Sequence, residues 1–223
     1  MQSELLYEEK YEMNLKDKME QIYGNAPPDK IPWNIKQPPK QLVELVERGK
    51  VTPCRAIDLG CGAGNYAIWL ATKGFQVAGI DFSEKAVELA RKQAGRENVN
   101  CTFMVGDLTD TDFKADTEYE FAYDWEVLHH VFPDDRDTYI RNVVKILQKG
   151  ATYFSVCFSE EDPDFGGEGK YRKTPMDTML YFSSEKEIEQ ILEAHFEIKE
   201  LTTTEISGKY GPHMAVIAFA SKK

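Results

Sequence analysis

The feature that most restricts this chain is the run Asp58-Leu59-Gly60-Cys61-Gly62-Ala63-Gly64-Asn65, which directly follows the apolar residues Ala56-Ile57. Glycine recurs there at every second position. A turn without Cβ atoms folds tightly and lets a ligand lie against its backbone. The segment after it reads as a helix from about Tyr66 to Lys73, ended by Gly74. Its first turn would offer free N–H groups. A strand, a glycine-rich turn and a helix in that order make the first half of a βαβ unit, and so predict a sheet with helices on its faces.

The rest of the chain repeats the alternation. Residues 75–80 read as a second strand, and Ser83 caps a helix through Ala94. Residues 101–105 and 120–123 read as strands three and four. A helix starting at Asp134 or Asp135 runs through Leu147 and stops near Gly150, and residues 153–158 make a fifth strand. Ser184 with Glu187 forms a capping box for a helix to about His195. Residues 197–203 and 214–220 then close the chain as two strands with no helix between them, which predicts an antiparallel strand at the sheet edge. Before the first strand, Tyr7, Tyr11, Leu15, Met19 and Ile22 form one apolar stripe at helical spacing, ended by Gly24 and Pro27-Pro28. Pro38-Pro39 open a second helix, with Gly49 at its end. The expected organisation is one domain over 1–223, with 1–50 as a helical lid and 51–223 as the core.

In such sheets ligands bind outside the carboxyl ends of the strands, and the chemistry-bearing residues fall there. The dinucleotide fingerprint is G-x-G-x-x-G. In this chain the third glycine is one place early, and Asn65 holds its expected position. Asp58 would repel a pyrophosphate and suit a ligand bearing an ammonium group. Asp81 ends the second strand 17 residues past Gly64. A carboxylate there can accept both hydroxyls of a ribose, and Phe82 could lie against the base. Capping is the competing role for Asp81, but Ser83 is better placed for it. Asp107-Leu108 follow the third strand. The fourth ends in Tyr123-Asp124-Trp125-Glu126-Val127-Leu128-His129-His130, an unusual concentration of polar and aromatic residues. His129 and His130 are candidate bases, although a hydrogen-bonded packing role is the commoner one for a histidine.

Charge and cysteine usage narrow the partners. Lys and Arg number 27 against 38 Asp and Glu, a net charge of −11. That surface repels phosphate backbones and anionic membranes, so a small-molecule substrate is expected rather than nucleic acid or membrane. Cys54, Cys61, Cys101 and Cys157 lack Cys-x-x-Cys spacing, so no metal site and no disulfide framework are expected. With no leader sequence and no apolar run long enough to span a bilayer, a cytoplasmic protein is expected.

The D-x-G-x-G-x-G arrangement of residues 58–64 resembles motif I of class I S-adenosylmethionine-dependent methyltransferases, and residues 31–158 resemble the core of that class throughout. Pro32-Trp33-Asn34-Ile35 with Gln37-Pro38-Pro39, the stretch Asp124 to His130, and Asp135-Arg136 with Tyr139 resemble a narrower group. That group comprises the thiopurine, thiol and halide methyltransferases and the tellurite-resistance methyltransferases. The resemblance implies an α/β, Rossmann-like, mostly parallel seven-stranded sheet with helices on both faces, an antiparallel edge strand and an N-terminal helical lid. It implies S-adenosylmethionine as cofactor. Trp33 would lie against it from the lid, with Gly60, Gly62 and Gly64 at its methionyl end and Asp81 on the ribose. Asp107 would take the adenine amino group, with Leu108 beside the ring, and Asp124 and Trp125 would face the methionyl part and the acceptor.

A sulfonium methyl is already activated, so positioning a nucleophile in line is the main demand, worth ~7–11 kcal/mol. Soft nucleophiles need no base and suit an aromatic pocket, so the expected acceptor is a thiol or chalcogenide. An amine or oxygen acceptor, with His129 or His130 as base, is the alternative. A non-catalytic S-adenosylmethionine-binding protein and a nicotinamide-dependent oxidoreductase are the competing classes. Residues 160–182, with Gly166-Gly167, Gly169 and Tyr171, match no motif and are where substrate identity would be encoded.

Overall fold

The computed structural model describes residues 15–115, 117–165 and 169–223. Tyr7, Tyr11, Gly166 and Gly167 lie outside them. Strand β1 (Arg55–Leu59) is buried on both faces after its first residue, as is β2 (Gln76–Asp81). Apolar runs buried on both sides favour parallel pairing beneath two helical layers. With β3 (Cys101–Val105), β4 (Tyr119–Trp125) and β5 (Leu147–Phe158) they form five parallel strands, flanked by β9 (Pro212–Lys222) and β8 (Phe196–Ser207). The sheet is seven-stranded, in the order β3-β2-β1-β4-β5-β9-β8.

The antiparallel member is β9, and it does not occupy the edge. It sits between β5 and β8, pairing antiparallel with both, so the outermost strand β8 runs in the same direction as the parallel set. A hairpin between β8 and β9 brings the chain back into the gap beside β5. Residues 160–182 supply a small separate hairpin, β6 (Tyr171–Lys173) with β7 (Met179–Tyr181). Strand β5 leaves its preceding helix at once and absorbs Gly150, which the sequence places in a helix stop. Leu147 already pairs with Tyr119 before the register shifts.

Alternation along the strands sends side chains to two layers. Phe121 and Tyr123 join Leu42, Leu45, Ala67, Leu70, Val87 and Phe103 on one face. That face carries α2 (Lys40–Glu47), α3 (Asn65–Thr72) and α4 (Glu84–Glu97). Ile57, Leu59 and Ala122 join Tyr139, Ile140, Val143, Ile188 and Leu192 on the other, under α5 (Pro133–Ile146) and α6 (Glu185–Leu192). The caps are those the sequence implies. Ser83 accepts from the Ala86 N–H, and Ser184 with Glu187 makes a complete capping box. Helix α1 (Leu15–Asn25) buries Met19, Ile22 and Tyr23 in a third cluster with Ile31 and Ala86 of α4.

Candidate active site

The glycine turn is pinned to β2, because the Gly60 and Cys61 N–H groups both donate to the Ile80 carbonyl, at 2.7 and 3.0 Å. Gly60, Gly62 and Gly64 all have positive φ, of 70°, 52° and 77°. A Cβ on Gly60 would lie 2.5 Å from Val127 Cγ2, and one on Gly62 2.7 Å from the Tyr23 hydroxyl. Side chains therefore fail there on conformation and on space. Gly64 works from behind the turn, as the left-handed N-cap of α3 packed against Phe103 and Ala90.

Asp81 holds the turn from the next strand. Its Oδ2 accepts from the Gly62 N–H and its Oδ1 from the Ser83 N–H, both at 2.9 Å. Asn65 ties the turn to the N-terminal segment by donating to Asn34 Oδ1 at 2.6 Å, while its own Oδ1 accepts from Gln93. The Trp33 indole N–H donates to the Tyr23 hydroxyl at 2.8 Å. Lys209, in the β8–β9 turn, donates to the carbonyls of Asp29 and Ile31 at 2.6 and 2.8 Å. The N-terminal segment is thus held to both ends of the site.

Two cavities meet here. The first, about 100 Å³, is lined by Asp58, Gly60, Gly62, Asp81 and Phe82, with Tyr23 from α1 and Trp125 from β4. The second, about 440 Å³, has aromatic walls from Phe158, Phe165, Tyr210 and the imidazoles of His129 and His213. Trp33, Glu126 and His130 line both. Glu126 has φ 63°, a left-handed conformation that is uncommon without glycine. Its backbone N–H donates to the Val156 carbonyl at 2.8 Å.

Burial sets the electrostatics. It lifts the Asp58 carboxyl to about 8, Asp81 to about 6 and Glu126 to about 7. It pushes His130 down to about 4 and His129 well below its ordinary value, the latter helped by His130 and Arg136 nearby. The first cavity thus gathers carboxyls that burial makes reluctant to ionise, and none of its lining side chains is a lysine or arginine. Such a lining fits a cationic ligand.

The sequence-predicted residues divide accordingly. Trp33, Asp58, Gly60, Gly62, Asp81, Phe82 and Trp125 line the first cavity together. Asp107 and Leu108 lie outside it, past the end of β3. The Asp107 carboxylate accepts from the backbone and hydroxyl of Thr109, and Leu108 is buried in the core. Asp124 is a correction, because its side chain lines neither cavity. It is fully buried and accepts from Tyr139, Tyr153 and Ser155, and these hydroxyls make it a core anchor. In the turn that follows, His129 lines the second cavity, with Nδ1 accepting from the Phe158 N–H at 3.3 Å. Arg136 fixes this turn. Its guanidinium donates to the carbonyls of Val131 and Leu128 on either side of the two histidines, and stacks on Tyr181. Glu126, Tyr23 and Tyr66 are among the cavity residues to which the sequence reading gives no role.

The sequence spacing shows no metal-ligand cluster, but the fold makes one. Among the described residues, Asp162, Asp164 and His213 bring ligand atoms within 4.8 Å of one another. Both oxygens of Asp162 already accept backbone N–H groups, from Asp164 at 2.8 Å and Met214 at 2.6 Å. The cluster braces β9 against the loop after β5, and Asp164 and His213 face the second cavity.

The seven-stranded sheet with an inserted antiparallel strand, and a glycine turn facing acids at the neighbouring strand ends, define the class I methyltransferase architecture. A methyltransferase-domain family model matches residues 56–150. The 2-heptyl-1-hydroxyquinolin-4(1H)-one methyltransferase of Mycobacteroides abscessus is 30% identical over 162 residues, covering 69% of this chain and 70% of that protein. The chain belongs to the S-adenosylmethionine-dependent methyltransferases, enzymes that transfer a methyl group from S-adenosylmethionine. Two solved structures share the fold. One comes from the conversion of a disulfide bond into a thioacetal group during echinomycin biosynthesis, with 19% identity, TM-score 0.77 and coverage of 94% of this chain and 93% of that one. The other is the Burkholderia thailandensis 1,6-didemethyltoxoflavin-N1-methyltransferase with S-adenosylhomocysteine bound, with 18% identity, TM-score 0.73 and coverage of 96% and 90%.

Proposed function

We propose that this chain methylates a planar aromatic small molecule held in the second cavity. The observation that carries the reading is the shared wall of Trp33, Glu126 and His130 between an acidic cavity at the glycine turn and a larger aromatic one. Bound S-adenosylmethionine supplies an electrophilic methyl on a sulfonium centre. In this reading the remaining lone pairs of Asp81 take the ribose diol, and Phe82 packs on the base. Gly60 and Gly62 give their backbone to the methionyl end, and Asp58 meets its ammonium. Trp33 and Trp125 favour the cationic centre, a cation–π attraction of about 0.5–2 kcal/mol. Asp107 lies further along the row of strand ends, where the nucleoside end would emerge. Residues 1–50 serve as the lid over a core of 51–223, and Lys209 secures the lid.

The acceptor follows from size and surface. A volume of about 440 Å³ falls in the usual range for organic ligands, whereas a hydrogen chalcogenide or halide would leave most of it empty. Flat aromatic walls favour stacking on a ring system. The Mycobacteroides abscessus relative is named for a bicyclic aromatic acceptor, which supports this reading. Among soft nucleophiles this size leaves an aromatic thiol, which stands beside aromatic O–H and N–H acceptors of the same shape. The net charge of −11 speaks against nucleic acid.

Titration calorimetry with S-adenosylhomocysteine, followed by mass spectrometry of a panel of bicyclic phenols, thiols, amines and inorganic sulfide, tests both halves. Binding of the nucleoside and faster methylation of the bicyclic compounds are expected. Absence of binding would end the cofactor assignment, and preference for sulfide would end the aromatic one.

A further inference from the structure

Three groups that could take a proton stand near the shared wall, His129, His130 and Glu126. His129 spends Nδ1 on a backbone N–H and is 3% exposed. His130 lines both cavities, but burial holds it neutral down to about 4, so it accepts a proton poorly at neutral pH. Glu126 also lines both cavities. Among the described residues no lysine or arginine forms an ion pair with it. The left-handed backbone at this position is a strained conformation that persists where the surroundings enforce it, commonly at functional sites. Here the turn, closed by the Glu126 N–H on Val156, aims the residue at the junction rather than along the strand.

We infer that Glu126 is a catalytic residue, the base that takes the proton of a neutral O–H or N–H acceptor as it is methylated. The inference rests on the aromatic-acceptor reading above and identifies the acceptor atom as one that carries a proton. As the acceptor oxygen or nitrogen bonds to the methyl carbon, the carbon–sulfur bond breaks and its electron pair stays on sulfur as a neutral thioether. The acceptor proton passes to the Glu126 carboxylate and then to solvent. Burial lifts this carboxyl to about 7, and a general base works best when its pKa lies near the pH of the reaction, here neutrality.

Two probes of equal shape separate this role from packing, 2-naphthol, which is neutral at mildly alkaline pH, and 2-naphthalenethiol, which is largely ionised. Glu126→Gln is expected to slow methylation of the naphthol by about 10²–10⁴-fold and that of the thiol by less than about fivefold. Its S-adenosylhomocysteine affinity by calorimetry should stay within about twofold of the parent. Glu126→Asp should recover part of the naphthol rate. Equal losses on both probes, or loss of nucleoside binding in the folded variant, would overturn the assignment of Glu126 as base. A parent enzyme that binds the nucleoside but methylates neither probe would instead overturn the aromatic-acceptor reading, and with it the premise of this inference.

Discussion

Replacing Asp81 by Asn tests the cofactor site and its electrostatics together. Asp81 accepts from Gly62 and Ser83, one N–H on each oxygen. Asparagine keeps one acceptor and turns an NH₂ group toward the other donor, which costs about 1–3 kcal/mol of stability at any pH. A second effect depends on pH. Burial raises the carboxyl from an ordinary 3.8 to about 6, so the folded protein holds this proton more tightly than the unfolded chain. The stability it contributes is complete below the unfolded value and is lost as pH rises through about 6. Between about pH 4.5 and about pH 7.5 the loss integrates to roughly 2 kcal/mol. Asn does not titrate, so urea unfolding of parent and variant should show a stability gap that closes by that amount as pH rises. Nucleoside binding should run the other way. Ribose hydroxyls donate to the ionised carboxylate, so parent affinity for S-adenosylhomocysteine should climb as pH rises through about 6 while the variant stays flat. Above that range the variant should bind about 30- to 150-fold more weakly, the equivalent of about 2–3 kcal/mol. A gap that ignores pH, with affinity within about twofold of the parent, would refute the placement of the diol on Asp81.

Arg136→Met leaves the Leu128 and Val131 carbonyls without their guanidinium, at about 1–3 kcal/mol each. Turnover should fall while S-adenosylhomocysteine binding measured by calorimetry survives, and parallel loss of both would contradict a role confined to the histidine turn. Turnover should persist in EDTA, because both oxygens of Asp162 are already engaged by backbone N–H groups. Activity lost to EDTA and restored by magnesium would instead make the Asp162–Asp164–His213 cluster a metal centre.

The parts of the site legible in sequence are those where one short segment contains its own cause. An apolar run followed by alternating glycines locates the turn. Ser83 and the Ser184–Glu187 pair announce their helices, and that frees Asp81 for the strand end. What stayed hidden depends on distant partners. Asp124 reads as a site carboxylate until Tyr139, Tyr153 and Ser155 close on it from α5 and β5. Glu126 carries no local sign that its backbone will turn to a positive φ, since asparagine or glycine would be the expected residue there. The second cavity joins residues near 30, 126, 158, 175 and 210, a set drawn from five separate parts of the chain, with the β8–β9 turn placed by β9 between β5 and β8. The edge position expected for the antiparallel strand fails for the same reason. Periodicity identifies two strands without saying which of them pairs with β5.

The acids of the first cavity explain why this glycine turn serves a different ligand from the dinucleotide version. Three carboxyls, Asp58, Asp81 and Glu126, line one cavity and are all shifted upward by burial. A pyrophosphate would add two charges of the same sign to this enclosure and drive the acids further toward protonation. An ammonium with a sulfonium does the opposite. Each positive centre stabilises the ionised carboxylates and recovers part of the desolvation cost that raised them. The attraction is largest before methyl transfer, because the sulfur becomes neutral once the methyl has left. If these acids recognise the donor as proposed, they would hold the product less tightly, which would favour its exchange for fresh donor. The early third glycine and Asn65 fit this arrangement, since no phosphate needs to approach the start of α3. Asn65 can instead bind Asn34 and hold the N-terminal segment, with Trp33, against the first cavity.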